Sequence, residues 1–96
     1  MALVVVTPNA LSDLERLRNF LVDNDPAAAV RTIELILAGI SVIAHHPLVG
    51  RPVESGFREL VISRGRSGYI ALYRYDEARN DVLVLAIRHQ REAGYV

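Results

Sequence analysis

The sequence has no cysteine and no lysine. The first absence excludes disulfides, thiolate nucleophiles and cysteine metal sites. The second makes arginine the sole carrier of fixed positive charge. Its planar fork of donors suits carboxylates and phosphates, although a GC-rich genome favours the same residue. Net charge is absent too, eleven cationic side chains facing eleven acidic ones. A uniform positive field of the kind that drives non-specific nucleic-acid association is therefore excluded, and no direct nucleic-acid binding is expected. Long apolar runs are also missing: Arg31, Glu34 and His45 interrupt the longest apolar region, so no membrane span is expected. Met1 to Val6 lacks a basic flank and is too short for a signal-peptide core before Thr7 and Pro8. These absences predict a soluble, cytoplasmic protein.

What is present fits one domain over residues 1–96, because a chain of 96 residues does not build two independent cores. The hydrophobic share of 51% and charged share of 23% are those of a globular chain, not a disordered one. Charge is unevenly placed: residues 1–50 carry three arginines against five acids, and residues 51–96 carry eight against six. The cationic side chains lean toward the C-terminal half.

Leu3 to Val6 is a β-branched run that predicts a strand buried on both faces or beside a helical layer. Thr7 and Pro8 form a cap and first-turn signal, and Ala10, Leu14, Leu17 and Leu21 recur at helical spacing until about Asp23. Asp25 and Pro26 repeat the signal, and a second helix is expected to about His45, making a helical hairpin. Val30, Ile33, Ile36, Leu37, Ile40 and Ala44 form its predicted core stripe. Leu35 and Val42 point away from that stripe, either toward the first helix or a loop, or into a groove awaiting an apolar partner. His46 and Pro47 end the helix and residues 47–56 are a loop. Three strands are predicted at Phe57–Ser63, Tyr69–Tyr75 and Val82–Arg88, with turns at 64–68 and 76–81. Short connections predict antiparallel pairing. The expected fold is α+β: an N-terminal strand and helical hairpin packed on an antiparallel sheet, in the order β-α-α-β-β-β.

Period-two alternation places Tyr69, Tyr73 and Tyr75 on one face of the middle strand. In the last strand it groups Leu83, Leu85 and Ile87 with His89, and Val82, Val84 and Ala86 with Arg88. Arg88, His89 and Arg91 are thereby expected to gather at one end of the sheet. There they either bind phosphate or carboxylate, with His89 carrying a proton, or pair with Glu54, Glu59 or Glu92 in a folded-back tail. His45 and His46 are adjacent and lack a third ligand, so no metal is expected. The segment Arg64 to Gly68 lacks phosphate-loop spacing and a following helix, and reads as a turn with exposed arginines. No cofactor site is indicated.

The ordered segments Pro47-Leu48-Val49-Gly50-Arg51, Phe57-Arg58-Glu59-Leu60, Tyr69-Ile70-Ala71-Leu72-Tyr73-Arg74 and Ile87-Arg88-His89-Gln90-Arg91-Glu92 resemble the ParE branch of the ParE/RelE toxin superfamily, over nearly the whole chain. The resemblance implies a type II toxin neutralised by a cognate antitoxin that wraps it. RelE-like members are similar to ribosome-dependent mRNA endonucleases and are usually basic. They carry a middle-strand arginine a few residues before its tyrosine, where this chain has Tyr69-Ile70-Ala71-Leu72. ParE-like members inhibit DNA gyrase by binding, without cleaving RNA. On that resemblance the target contacts are Arg58, Arg64, Arg74, Arg88, His89 and Arg91, with Leu35 and Val42 facing the antitoxin. The alternatives are an mRNA endonuclease using His89, and a non-toxic module that only binds an antitoxin.

Overall fold

A computed structural model describes residues 1–64, 67–92, 94 and 95, with only the backbone described for Arg64 and Ser67. The elements are β1 (Leu3–Val6), α1 (Pro8–Val22), α2 (Pro26–His45), β2 (Arg51–Pro52), a 3-10 turn (Glu54–Gly56), β3 (Arg58–Arg64), β4 (Ser67–Asp76) and β5 (Asp81–His89). Both helix starts use the capping chemistry legible in the sequence. Thr7 Oγ1 accepts from the Ala10 N–H and Asp25 Oδ1 from the Ala28 N–H, each followed by proline at the first helical position.

The strands form one sheet in the order β1-β5-β4-β3-β2. The β3–β4 and β4–β5 pairs are antiparallel as expected; β2, within the stretch expected to be a loop, adds an antiparallel pair to β3, and β1 lies parallel to β5 and makes the sheet mixed. The helical hairpin supplies the crossover that parallel pairing needs. It covers one face of the sheet. Among the described residues no layer covers the other face, so Leu3 is 68% and Val5 44% exposed and β1 is not buried on both sides.

The core lies between hairpin and sheet: Leu17, Ile36, Ile40 and Ile43 from the helices meet Ile62, Tyr69, Tyr73, Val82, Val84 and Ile87. The buried arc of α2 is turned relative to the expected stripe. Ala29, Gly39 and Ile43 face inward, Leu35 is partly buried against the core, and Val30 and Leu37 are exposed. Small residues explain the rotation, because they let neighbours approach. A Cβ on Gly39 would sit 2.5 Å from Ile62 Cδ1, so α2 meets β3 through glycine and not through its largest side chains. Contrary to the composition reading, α2 is long and apolar enough to cross a membrane, with a mean hydropathy of 1.8. Its packing on the sheet accounts for part of that composition, and Val30, Leu37 and Val42 stay exposed.

A bulge corrects the expected faces of β5. The pairing steps from Leu72 opposite Ala86 to Tyr73 opposite Val84, leaving Leu85 as the extra residue. Val82 and Val84 therefore share the helix-facing core with Ile87, two alternations that the sequence pattern kept apart. Beyond Val84, β1 has ended and the edge of β5 would be bare. Side chains of the helix entry take over: Thr7 Oγ1 donates to the Val84 carbonyl and Asn9 Nδ2 to that of Leu85, both at 2.8 Å. Asp13 Oδ2 accepts from the Ile87 N–H at 2.8 Å. This explains a buried aspartate in an otherwise apolar helix face.

Candidate functional site

The bulge also decides how the arginine-rich end is presented. Arg88 pairs with Ile70 and His89 with the core residue Tyr69, so the two side chains leave β5 on opposite faces. They do not gather on one surface.

On the helix side, the Tyr73 hydroxyl donates to the Pro47 carbonyl at 2.7 Å and accepts from the Gly50 N–H at 2.8 Å. Arg58 Nη1 donates to the Gly50 carbonyl at 2.8 Å and to that of Leu48 at 3.3 Å. The loop 47–50 is therefore clamped by one phenol and one guanidinium from neighbouring strands. Burial pushes the Tyr73 phenol up, against the opposing pull of the Gly50 N–H and Arg58. Arg58, expected as a target contact, holds this loop. Gly50 is required at this junction, because a Cβ there would come within 2.7 Å of the Tyr73 ring and 2.9 Å of the Glu59 carbonyl.

On the open face, Glu59 is the centre of a polar cluster. The Tyr95 hydroxyl donates to its Oε2 at 2.5 Å, and Arg51 Nη2 to its Oε1 at 2.9 Å. The Tyr95 hydrogen bond and Arg51 hold the Glu59 carboxyl below its ordinary range, and Arg88 adds to this. Tyr95 is pushed up to about 12, first by burial and then by Glu59. Its ring lies 5.1 Å under the Arg88 guanidinium. Arg88 Nη1 donates to the Glu92 carbonyl at 2.8 Å, so it too serves a folded-back tail. The tail folds back, but Arg88 meets the Glu92 main-chain carbonyl and the Tyr95 ring, and none of Arg88, His89 and Arg91 forms an ion pair with Glu54, Glu59 or Glu92 among the described residues.

His89 packs edge-on against Tyr69, with ring centroids 5.2 Å apart. Its Nδ1 accepts from the Arg91 N–H at 3.0 Å, which in the neutral ring leaves the proton on Nε2. Arg91 and Arg74 are exposed and make no ion pair among the described residues, Arg74 lying 6.0 Å from the Phe57 ring centroid. The Arg64 side chain, like Gly65 and Arg66, lies outside the described residues. Val42 is 43% exposed, whereas Leu35 packs inward. No grouping of three metal-ligating side chains occurs among the described residues. Sequence reasoning missed Asp13, Arg16 and Tyr95. The polar residues Asn9, Asp13 and Arg16 recurring at helical spacing were the available signal for the first two.

Comparison with known proteins decides the family. A model described as the ParE toxin of the type II toxin-antitoxin system, parDE, matches residues 4–94. The chain belongs to the ParE toxin family. Among curated relatives, Toxin RelE3 of Caulobacter vibrioides is 40% identical over 93 residues, spanning 96% of this chain and 98% of that one. Toxin RelE1 of the same organism is 38% identical over 71 residues, 74% and 76% of the two chains. The fold matches a chain of the chromosomal ParDE system from P. aeruginosa with a TM-score of 0.79 at 22% identity, covering 93% of this chain and 96% of that one. It also matches a chain of the toxin-antitoxin complex RelBE2 from Mycobacterium tuberculosis, with a TM-score of 0.60 at 26% identity, covering 93% and 98%. The ParE-like chain is thus a toxin of the type II class, with relatives named on both sides of the superfamily.

Proposed function

We propose that this ParE-family toxin arrests growth by binding DNA gyrase without cutting RNA, and that a cognate antitoxin neutralises it. One observation carries the choice of binding over cleavage. Of the acid–base candidates near the arginines, Glu59 is held below its usual range beneath two donors and Tyr95 is pushed up to about 12, both away from neutral pH, while His89 spends its Nδ1 on the Arg91 N–H. A base poised near 7 is what proton transfer from a 2′-hydroxyl needs. Two cations of the region, Arg58 and Arg88, are bound to main-chain carbonyls and are poorly placed to stabilise a phosphorane. Arg74, Arg91 and the tail around Arg88 and His89 remain as the contact surface.

The antitoxin reading is supported by the neighbours, which come from systems named ParDE and RelBE, and by exposed apolar side chains on α2. Val30 and Leu37 form one exposed stripe and Val42 a second, so the seat includes Val42, with Leu35 contributing from beneath. The test is a supercoiling assay with purified toxin, with and without antitoxin. Inhibition at micromolar toxin that the antitoxin relieves is expected, and untouched supercoiling would refute the gyrase reading. The names of the two RelE relatives favour a second reading, an mRNA endonuclease. Primer extension on translated messages separates the two, and cuts that disappear in a His89→Ala variant would establish the second.

A further inference from the structure

The segment after β5 is poorly anchored by apolar contact: Gln90 and Arg91 are exposed and Glu92 is half-buried. Its course is set instead by polar contacts that begin on α1. Arg16 Nη1 donates to Glu92 Oε2 at 2.7 Å, while its Nη2 reaches Asp13 Oδ1 and the Ile87 carbonyl, each at 3.4 Å. The other Glu92 oxygen accepts from the His89 N–H, and the Glu92 carbonyl accepts from Arg88 Nη1, both at 2.8 Å. One guanidinium of the hairpin thus grips the residue that caps His89 and receives Arg88. The same guanidinium touches the carboxylate that holds the edge of β5. Charge-assisted bonds joined into such a network act together, unlike an isolated surface pair.

We propose that Arg16 is a positioning residue for the toxic surface: by holding Glu92 it fixes the turn from which Arg88, His89 and Arg91 are presented. This rests on reading the C-terminal end as the part that meets the target. Helical spacing places Arg16 beside Asp13, but nothing local joins it to the tail, because Ile87 and Glu92 lie 71 and 76 positions away.

The experiment compares wild type with Arg16→Gln, Arg16→Lys and Glu92→Gln in two readouts, amide hydrogen exchange of the purified toxin and growth arrest at graded induction. In Arg16→Gln the His89 amide should exchange about tenfold faster, the loss of one charge-assisted bond, while amides in the β3–β4 core keep their rates. Arrest should then need about tenfold more toxin. Arg16→Lys keeps a cationic donor for Glu92 but not the planar fork, and should fall between wild type and Arg16→Gln in both readouts, a partial rescue that mere space-filling would not give. Wild-type potency in Arg16→Gln despite faster His89 exchange would overturn the proposal, and so would unchanged His89 exchange. Should Arg16→Gln melt globally, Glu92→Gln decides. Its amide oxygen still accepts from the His89 N–H, the charge facing Arg16 is gone, and full potency in this variant would equally overturn the proposal. A wild-type chain that arrests no growth refutes the toxin reading, and the exchange rates then judge the role of Arg16 by themselves.

Discussion

Replacing Tyr73 by phenylalanine removes one oxygen and leaves the ring in place. That oxygen serves two main-chain groups of the loop 47–50, and both the Tyr73 side chain and Gly50 are buried. Two hydrogen bonds of about 1 kcal/mol each are lost, and the orphaned Gly50 N–H adds roughly 1–2 kcal/mol of unrepaid desolvation. The space vacated by one oxygen is too tight for a water to enter, since the ring already sits close against Gly50. The expected loss is therefore about 3 kcal/mol, a large share of the 5–15 kcal/mol typical of a domain. In a chain of this size that lowers Tm by roughly 12–24 °C. Urea unfolding measures it: the midpoint should fall while the slope m stays unchanged, because the surface exposed on unfolding is the same. A loss below about 0.5 kcal/mol, the level of an uninvolved surface substitution, would refute the clamp.

Other perturbations test other joints. Asp13→Ala should cost about 2–4 kcal/mol by leaving the buried Ile87 N–H unpaired, and faster exchange of that amide would locate the damage. Gly39→Ala should cost about 1–3 kcal/mol by driving a Cβ into Ile62, and a smaller loss in the Ile62→Ala background, measured by a double-mutant cycle, would confirm the contact. Acid should weaken the fold through Glu59 and Glu92. Burial opposes the shift of Glu92, but the His89 N–H and Arg16 outweigh it, so both carboxyls sit below 4.5 when folded. Their contribution is complete above the unfolded value of 4.5 and is lost as pH falls through the lower folded values; Glu59→Gln should flatten that acid limb in urea titrations at stepped pH. At the alkaline end the sign reverses: Tyr95 favours its neutral form when folded, so its contribution is full below pH 10 and fades toward about 12. Tyr95→Phe should remove the highest step from an ultraviolet tyrosine titration.

The elements were legible where local chemistry specifies them. Thr7 with Pro8 and Asp25 with Pro26 mark both helix starts to the residue, and the polar turn around Asn80 separates β4 from β5. What stayed hidden depends on contacts between distant segments. The bulge at Leu85 exchanges the faces of β5 midway, and strict alternation has no way to register an extra residue. The rotation of α2 follows from Gly39 meeting Ile62, a contact 23 positions apart, so the largest side chains misled the stripe. The parallel place of β1 depends on the whole hairpin crossing over. At the candidate site the residue types were visible but not their duties. Arg58 and Arg88 carry the same side chain as Arg74 and Arg91, and only the position of a carbonyl distinguishes an arginine that holds the chain from one that faces outward.

That division bears on why lysine can be absent. Arg58 donates to the carbonyls of Leu48 and Gly50 at once, and Arg16 reaches Glu92, Asp13 and the Ile87 carbonyl from one guanidinium. Arg51 approaches Glu59 through both Nε and Nη2. Each task needs two or more donors in a fixed plane, which a single ammonium on a flexible stem supplies poorly. Arg51, Arg58 and Arg88 of the C-terminal half are therefore better explained by main-chain and carboxylate bridging than by a field for a polyanion. On the gyrase reading, a neutral toxin whose described cations are largely bound to its own chain would recognise its target through local shape and a few exposed groups. That requirement suits a protein surface better than a nucleic-acid backbone, whose binding grows with every phosphate neutralised.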